Sequence, residues 1–481
     1  MTGLKARIWI SFIPVLVLIV VLAMDIAVFG TDSILGASQV ALLLSGGVCI
    51  GLAMLLYRTP WKHFEDAVKS HVGDVAGAIL IILLIGAISG TWTVGGVVPA
   101  FICYGLKIIS PKVFLLTACA LCALVSVMTG SSWTTIATIG VALLGIGRAE
   151  GFNDAMTAGA IISGAYFGDK ISPLSDTTVL ASSINGVPLF GHIRYMMLTT
   201  VPSFVITLAV FTILGLSHSG TESGQMQVYS EVLRSSFHIS PWLMAVPLLT
   251  VLMIWKRMPA IVVLALSSIA AIVAAVIFQP EIVARIGSSV TDGSAFRVFF
   301  AGIMKSVFDS VSIDTGNAEV NALVASRGMI GMLNTVYLII CAMFFGACMR
   351  ASGMIADLSR MMMPLTRTRV GLVGSTVFTG TVLNGIVSDQ YLSIILTSNI
   401  YRDTYEKKGY EARLLSRSVE DSATVTSPLF PWSSCGMTQA TILSVPTLVY
   451  APFCLFNIIS PLMSFAVALI KGSETVNSEK Q

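Results

Sequence analysis

The chain has 481 residues, 55% of them hydrophobic and only 11% charged, with a mean hydropathy of +0.87. A soluble domain carries roughly 25% charged residues, so this one lacks the polar surface to remain in water. The net charge of +3 is too small to point to a nucleic-acid partner.

The first apolar run, Trp9 to Phe29, follows Lys5 and Arg7 as a signal peptide would. It is long enough to span, and no small-residue cleavage site precedes Asp25, so it reads as a retained helix. Further helices are expected near 36–57 and 75–95, then a short segment at 97–110. Two half-length apolar arms, 113–129 and 135–147, flank TGSSW and read as a re-entrant hairpin, because each falls short of the roughly 20 residues of a span. An interrupted helix (155–188) and a closing helix (193–217) complete the first half. After a linker (218–240), the plan recurs: 241–255, 259–279, 330–350, 353–365, a hairpin at about 371–402 around NGIVSDQ, an interrupted helix at 411–447, a helix at 449–470, and a tail (471–481).

Two landmarks support a duplication. Gly130 and Gly385 lie 255 positions apart, as do Ser172-Pro173-Leu174 and Ser427-Pro428-Leu429. The expected fold is therefore an all-α polytopic membrane protein of two repeats, 1–217 and 241–470. Each repeat crosses about five times, an odd number, so the two are inverted. Lys and Arg are concentrated in the loops that would be inside if the N-terminus is cytoplasmic: Arg58, Lys62, Lys69, Arg194, Lys256, Arg257, Arg350, Arg360, Arg367, Arg369, Arg402, Lys407, Lys408 and Lys471. The outside loops hold fewer, among them Lys107, Lys112, Arg148, Arg234, Arg285 and Arg297.

Broken helices at matching places in inverted repeats are the best sequence pointer to a transport site. Pro173 has no N–H to donate and disfavours helix at Ser172, so the backbone should open at Ile171–Ser175; Pro428 and Pro431 do the same in the second half. The neighbours are oxygen-rich: Asp169, Ser172, Ser175, Asp176, Thr177 and Thr178, with Ser131 and Ser132 at the first hairpin tip. Hard cations take oxygen ligands, and a carboxylate at bilayer depth costs about 2.5–3.5 kcal/mol on insertion scales. The plain alternative is a kinked helix whose hydroxyls bond back to its own carbonyls, with Asp169 paired to Lys170. Two acids in one apolar region argue against it. Asp389, Glu420 or Asp421, and Ser427 form the related half-site, with Arg417 spaced to neutralise one of the two adjacent acids. Sodium is assigned to Asp169, Asp176 and Asp389.

Other features carry less. Cys119 and Cys122 have C-x-x-C spacing but no second ligand pair, and read as small core residues. Asp74 reads as an N-terminal dipole partner. His63, His71, His192, His218 and His238 lie near loops or helix ends, and no H-E-x-x-H occurs, so an intramembrane enzyme is poorly supported and no cofactor is expected.

The stretches GSSWTTIATIGVALLGIGRAEG, TAGAIISGAYFGDKISPLSDTTVLAS and SRSVEDSATVTSPLFPWSSCG, with SDQYLSIIL between the last two, resemble the NhaC family of sodium/proton antiporters over most of the chain. The resemblance implies secondary antiport in a prokaryotic plasma membrane, with Na+ and H+ as the transported ions, and a homodimer is expected. Relatives that exchange organic acids or amino acids leave a second reading: a cation-coupled organic-anion or amino-acid exchanger, with Lys170 and Arg417 as partners for a carboxylate. Val179 stands where the family pattern often has Asn, and Phe152-Asn153-Asp154 replace a more proline-rich turn.

Overall fold

A computed structural model describes residues 2–29, 36–74, 76–108, 110–173, 175–217, 223–256, 258–361 and 368–470. Leu174, His218, Arg257, Arg367, Lys471 and the tail lie outside these, as do 362–365 of the segment expected at 353–365. The side chains of Lys5, Asp74, Lys107 and Arg360 are also outside the description.

The first half comprises α1 (Thr2–Phe29), α2 (Ala37–Leu56), α3 (Trp61–Asp74), α4 (Ala76–Val94), α5 (Val97–Ile108), α6 (Phe114–Thr129), α7 (Ser132–Thr135), α8 (Val141–Ala149), α9 (Asp154–Ile171), α10 (Asp176–Ile184) and α11 (Leu189–Leu216). After α12 (Ser223–Ser236), the second half runs α13 (Ala245–Trp255), α14 (Ala260–Phe278), α15 (Pro280–Ser288), α16 (Ala295–Phe308), α17 (Ala318–Leu323), α18 (Leu333–Ala351), α19 (Met354–Met361), α20 (Arg369–Val387), α21 (Gln390–Lys407), α22 (Ala412–Val419), α23 (Ser434–Leu443), α24 (Thr447–Tyr450) and α25 (Leu455–Ile470). The described residues form no β-strand, only an isolated bridge between Val311 and Ser326. Seven helices among them are long and apolar enough to cross a membrane, and three further pairs are bent by 68°, 92° and 55° at short breaks. The protein is an all-α polytopic membrane protein built from two inverted repeats.

The duplication is present, but its register differs from the sequence reading. The arms α6 and α20 end in left-handed caps, Gly130 (φ 64°) and Ser388 (φ 63°), which lie 258 positions apart. The same separation pairs the N-caps Ser131 with Asp389, Asn153 with Glu411, Ser175 with Ser433, and Pro188 with Pro446. It also pairs two contacts: Ser126 Oγ donates to the Ala165 carbonyl at 2.6 Å, and Asn384 Nδ2 donates to the Ala423 carbonyl at 2.7 Å. Pro173 therefore corresponds to Pro431, and the match of the two Ser-Pro-Leu triplets is a slip of three residues. Caps outrank identical letters here, because a left-handed residue ends a helix whatever its side chain, and glycine only makes that cheaper.

Packing partners exchange in the same way. α4 lies on α14 as α18 lies on α2; α6 meets α11 as α20 meets α25; α10 packs on α21, while α23 packs on the π-helical stretch 136–140 and on α8. The symmetry fails at α15–α17, which stand where the first half has only α3, and no element was expected across 280–329. Gly287 and Gly302 bring α15 and α16 into backbone contact there: a Cβ on either would meet the Val298 or Val283 carbonyl at 1.8–2.0 Å.

The hairpin arms are longer than their apolar runs suggested. Pro111–Thr129 and Arg369–Val387 each contain 19 residues and pass as spans by length alone. What makes them hairpins is the chain reversal at a tip inside the protein, where Ser132 is 1% and Asp389 8% exposed. Irregular backbone at such depth is tolerated because protein surrounds it.

Candidate functional site

Both interrupted helices open where the prolines require. α9 stops at Ile171, Ser172 and Ser175 are extended, and α10 restarts with the Ser175 hydroxyl accepting from the Thr178 N–H. In the second half, α22 passes through a π-helical turn (Glu420–Thr424) and a 3-10 turn (Ser427–Leu429) before α23 restarts under the Ser433 cap. π-turns of this kind are frequent at functional sites.

The first break, the first hairpin tip and the start of α21 line a cavity of about 540 Å³, bounded on another side by α4 and the start of α14. Asp169, Asp176, Thr177, Ser131 and Ser132 all line it. Asp169 is anchored by Ser132, whose N–H and hydroxyl donate to Oδ2 at 3.1 and 2.7 Å. Asp176 sits one residue after the cap Ser175, its side chain open to the cavity. The Thr177 hydroxyl is 3.0 Å from that of Ser175. Ser172 turns away, donating to the Val127 carbonyl at 2.8 Å.

The second-half candidates divide. Asp389 caps α21, accepting from the Leu392 N–H at 2.9 Å, and is not among the cavity-lining residues. Tyr391, two residues on, does line the cavity and is within electrostatic reach of Asp169, Asp176 and Asp389 together. Glu420 lies behind the cavity wall near Thr177, Thr424 and Lys170, and both its carboxylate oxygens are buried. The Ser427 hydroxyl is likewise buried.

Asp421 belongs to a separate charge cluster. Lys170 is ion-paired to it, both groups being fully buried, and Lys170 Nζ also donates to Ser460 at 2.9 Å. Thr199 (3.1 Å) and Ser464 donate to the same carboxylate, and Arg417 Nε lies 3.7 Å away, its guanidinium over the Tyr195 ring. Arg417 thus neighbours one of the two acids, as its spacing predicted, and Glu420 is the one left over. The pairing of Asp169 with Lys170 does not form: adjacent residues on a helix point about 100° apart, so Asp169 faces the cavity and Lys170 the second broken helix.

Sequence reasoning missed Thr129, Trp133, Thr134, Gln390 and Tyr391 in the cavity wall. Gln390 and Tyr391 follow Asp389 directly, so the hairpin tip was the available signal. Val179 is 40% exposed and not in the wall, so its departure from the family pattern removes no ligand here.

The model of the Na+/H+ antiporter family matches residues 2–184 and 164–471, two overlapping stretches that together take in nearly all of the chain. The chain belongs to this family. It is 34% identical over 426 residues to the Na(+)/H(+) antiporter NhaC of Bacillus subtilis, covering 88% of this chain and 90% of the relative. It is 35% identical to the protein of the same name from Alkalihalophilus pseudofirmus, covering 87% of each. At 32% identity, covering 90% and 88%, it is also similar to the Malate-2H(+)/Na(+)-lactate antiporter of B. subtilis. The described cavity wall holds two carboxylates, Asp169 and Asp176, and six hydroxyl-bearing side chains, Thr129, Ser131, Ser132, Thr134, Thr177 and Tyr391.

Proposed function

We propose that the protein exchanges sodium for protons across a prokaryotic plasma membrane, with its N-terminus cytoplasmic, and that Asp169 is the centre of the exchange site. The observation that carries this reading is a cavity at a helix break that holds two carboxylates and, among the described residues, no Lys, Arg or His in its wall. A sodium ion stabilises the ionised carboxylate and a proton neutralises it, so each displaces the other. Asp169, already oriented by Ser132, presents its other oxygen to the ion; Asp176, Ser131 and Thr177 complete an oxygen-rich surround of the kind hard cations take. Asp389 shapes the hairpin tip from the opposite repeat and contributes charge nearby. The repeats, bounded at about 217 and 241, rock about this site to alternate access, and the working unit is a homodimer. No cofactor takes part.

Exchange of an organic anion, which the similarity to the malate/lactate protein raises, is disfavoured by the same wall. Lys170, the residue that would hold a carboxylate, is already neutralised by Asp421.

The test is sodium-driven proton movement in proteoliposomes with a pH-sensitive dye. Asp169→Asn is expected to abolish it and Asp176→Asn to weaken sodium binding at least tenfold. Undiminished exchange in Asp169→Asn, or malate uptake by wild-type protein that a sodium gradient stimulates, would overturn the reading.

A further inference from the structure

The cavity is far larger than its proposed cargo needs. A monovalent ion occupies no more than a water's share of volume, about 30 Å³, whereas 540 Å³ falls in the range of roughly 300–1,000 Å³ that holds small organic molecules. Its wall also holds two chemistries. Asp169, Asp176 and the hydroxyls of the hairpin tip supply acidic and polar groups, and Trp133, Tyr391, Met258 and Val263 supply apolar and aromatic surface in the same wall. Among the described residues no cationic side chain lines it, whereas Asp169 and Asp176 are partners that an organic cation would find there. Aromatic faces beside carboxylates are the arrangement that recognises alkylammonium groups, because the ring quadrupole attracts a cation whose hydration is weak.

We propose that this cavity also binds small alkylammonium ions, the charged head at Asp169 and Asp176 and the alkyl group against Trp133 and Tyr391. The proposal rests on the placement of the cation site at Asp169 and extends the accepted cations from inorganic to organic. It does not require the organic cation to cross the membrane. Binding alone makes it a competitor of sodium.

The measurement is displacement of radioactive sodium from the purified full-length protein in detergent, at fixed pH, by methyl-, ethyl-, propyl- and butylammonium. The matching alcohols serve as neutral controls. If only the head docks, affinity stays flat or falls along the series. If the cavity takes the chain, affinity rises about fourfold per methylene, the transfer value of a buried CH₂, and the alcohols fail to compete. Trp133→Ala is expected to flatten that slope, each amine's affinity being taken relative to the variant's own methylammonium affinity; should that variant not fold, Tyr391→Ala reads the same slope. A flat or falling series in wild type, alcohols as effective as amines, or a slope unchanged in both variants would each overturn the proposal. Sodium binding that survives Asp169→Asn would instead overturn the site assignment beneath it, so the two failures are separable.

Discussion

At the scale of single residues, consecutive positions have taken opposite tasks. Asp169 faces the cavity and Lys170 the buried ion pair, one helix step apart. The pair ties the first broken helix to the second, and α11 and α25 complete the shell through Thr199, Ser460 and Ser464. Removing one member of a buried pair strands the other charge at a cost of about 3–5 kcal/mol, whereas replacing both by apolar residues is often neutral. Asp421→Leu, which strands both Lys170 and Arg417, is therefore expected to lower the midpoint of thermal unfolding in detergent more than Lys170→Met, which leaves Asp421 beside Arg417, and the double variant to recover the part of the Asp421→Leu loss that comes from Lys170. Additive losses would mean that the pair contributes nothing as a pair. The sequence named both residues but could not pair them, because 251 positions separate them and only tertiary packing selects Asp421 over Glu420 for Lys170.

At the scale of elements, the contact between α6 and α9 is set by absent side chains. A Cβ at Gly164 would lie 2.0 Å from the Cys119 carbonyl oxygen, and one at Gly168 2.3 Å from that of Ala123. Small residues four apart let two helix backbones approach closely, and in a membrane such packing rather than water exclusion drives association. Gly164→Ala should therefore misplace the end of α9 that carries Asp169. We expect a thermal midpoint lowered by several degrees and weakened sodium binding. Gly51→Ala on α2, where nothing lies within 4 Å, should leave both unchanged or gain up to about 1 kcal/mol of helix stability. The helix breaks were legible in advance because proline acts locally. Hairpin length was not, since hydropathy marks where apolar residues stop and not where the caps Ser131 and Asp389 turn the chain.

At the scale of the whole molecule, one side of the cavity is walled by the start of α4 and the start of α14, the ends that face the cytoplasm if the N-terminus does. All eight native cysteines are buried, so an introduced thiol can be read against a low background. Met258→Cys is expected to react with a membrane-impermeant maleimide in inside-out vesicles and not in right-side-out ones, and Phe296→Cys on α16 to show the reverse. The opposite pattern would invert the topology. The fold class was legible from composition and repeated breaks, while the 258-residue register needed the caps, because the halves have kept geometry and lost most shared letters. Where the first half carries Asp169 and Ser131, the second carries Ser427 and Asp389 at the same places. Two copies of either half would duplicate one acid and lose the other, and two copies of the second would carry α15–α17 on both membrane faces. Identical half-length chains could not build this site, so neither half can stand in for the other.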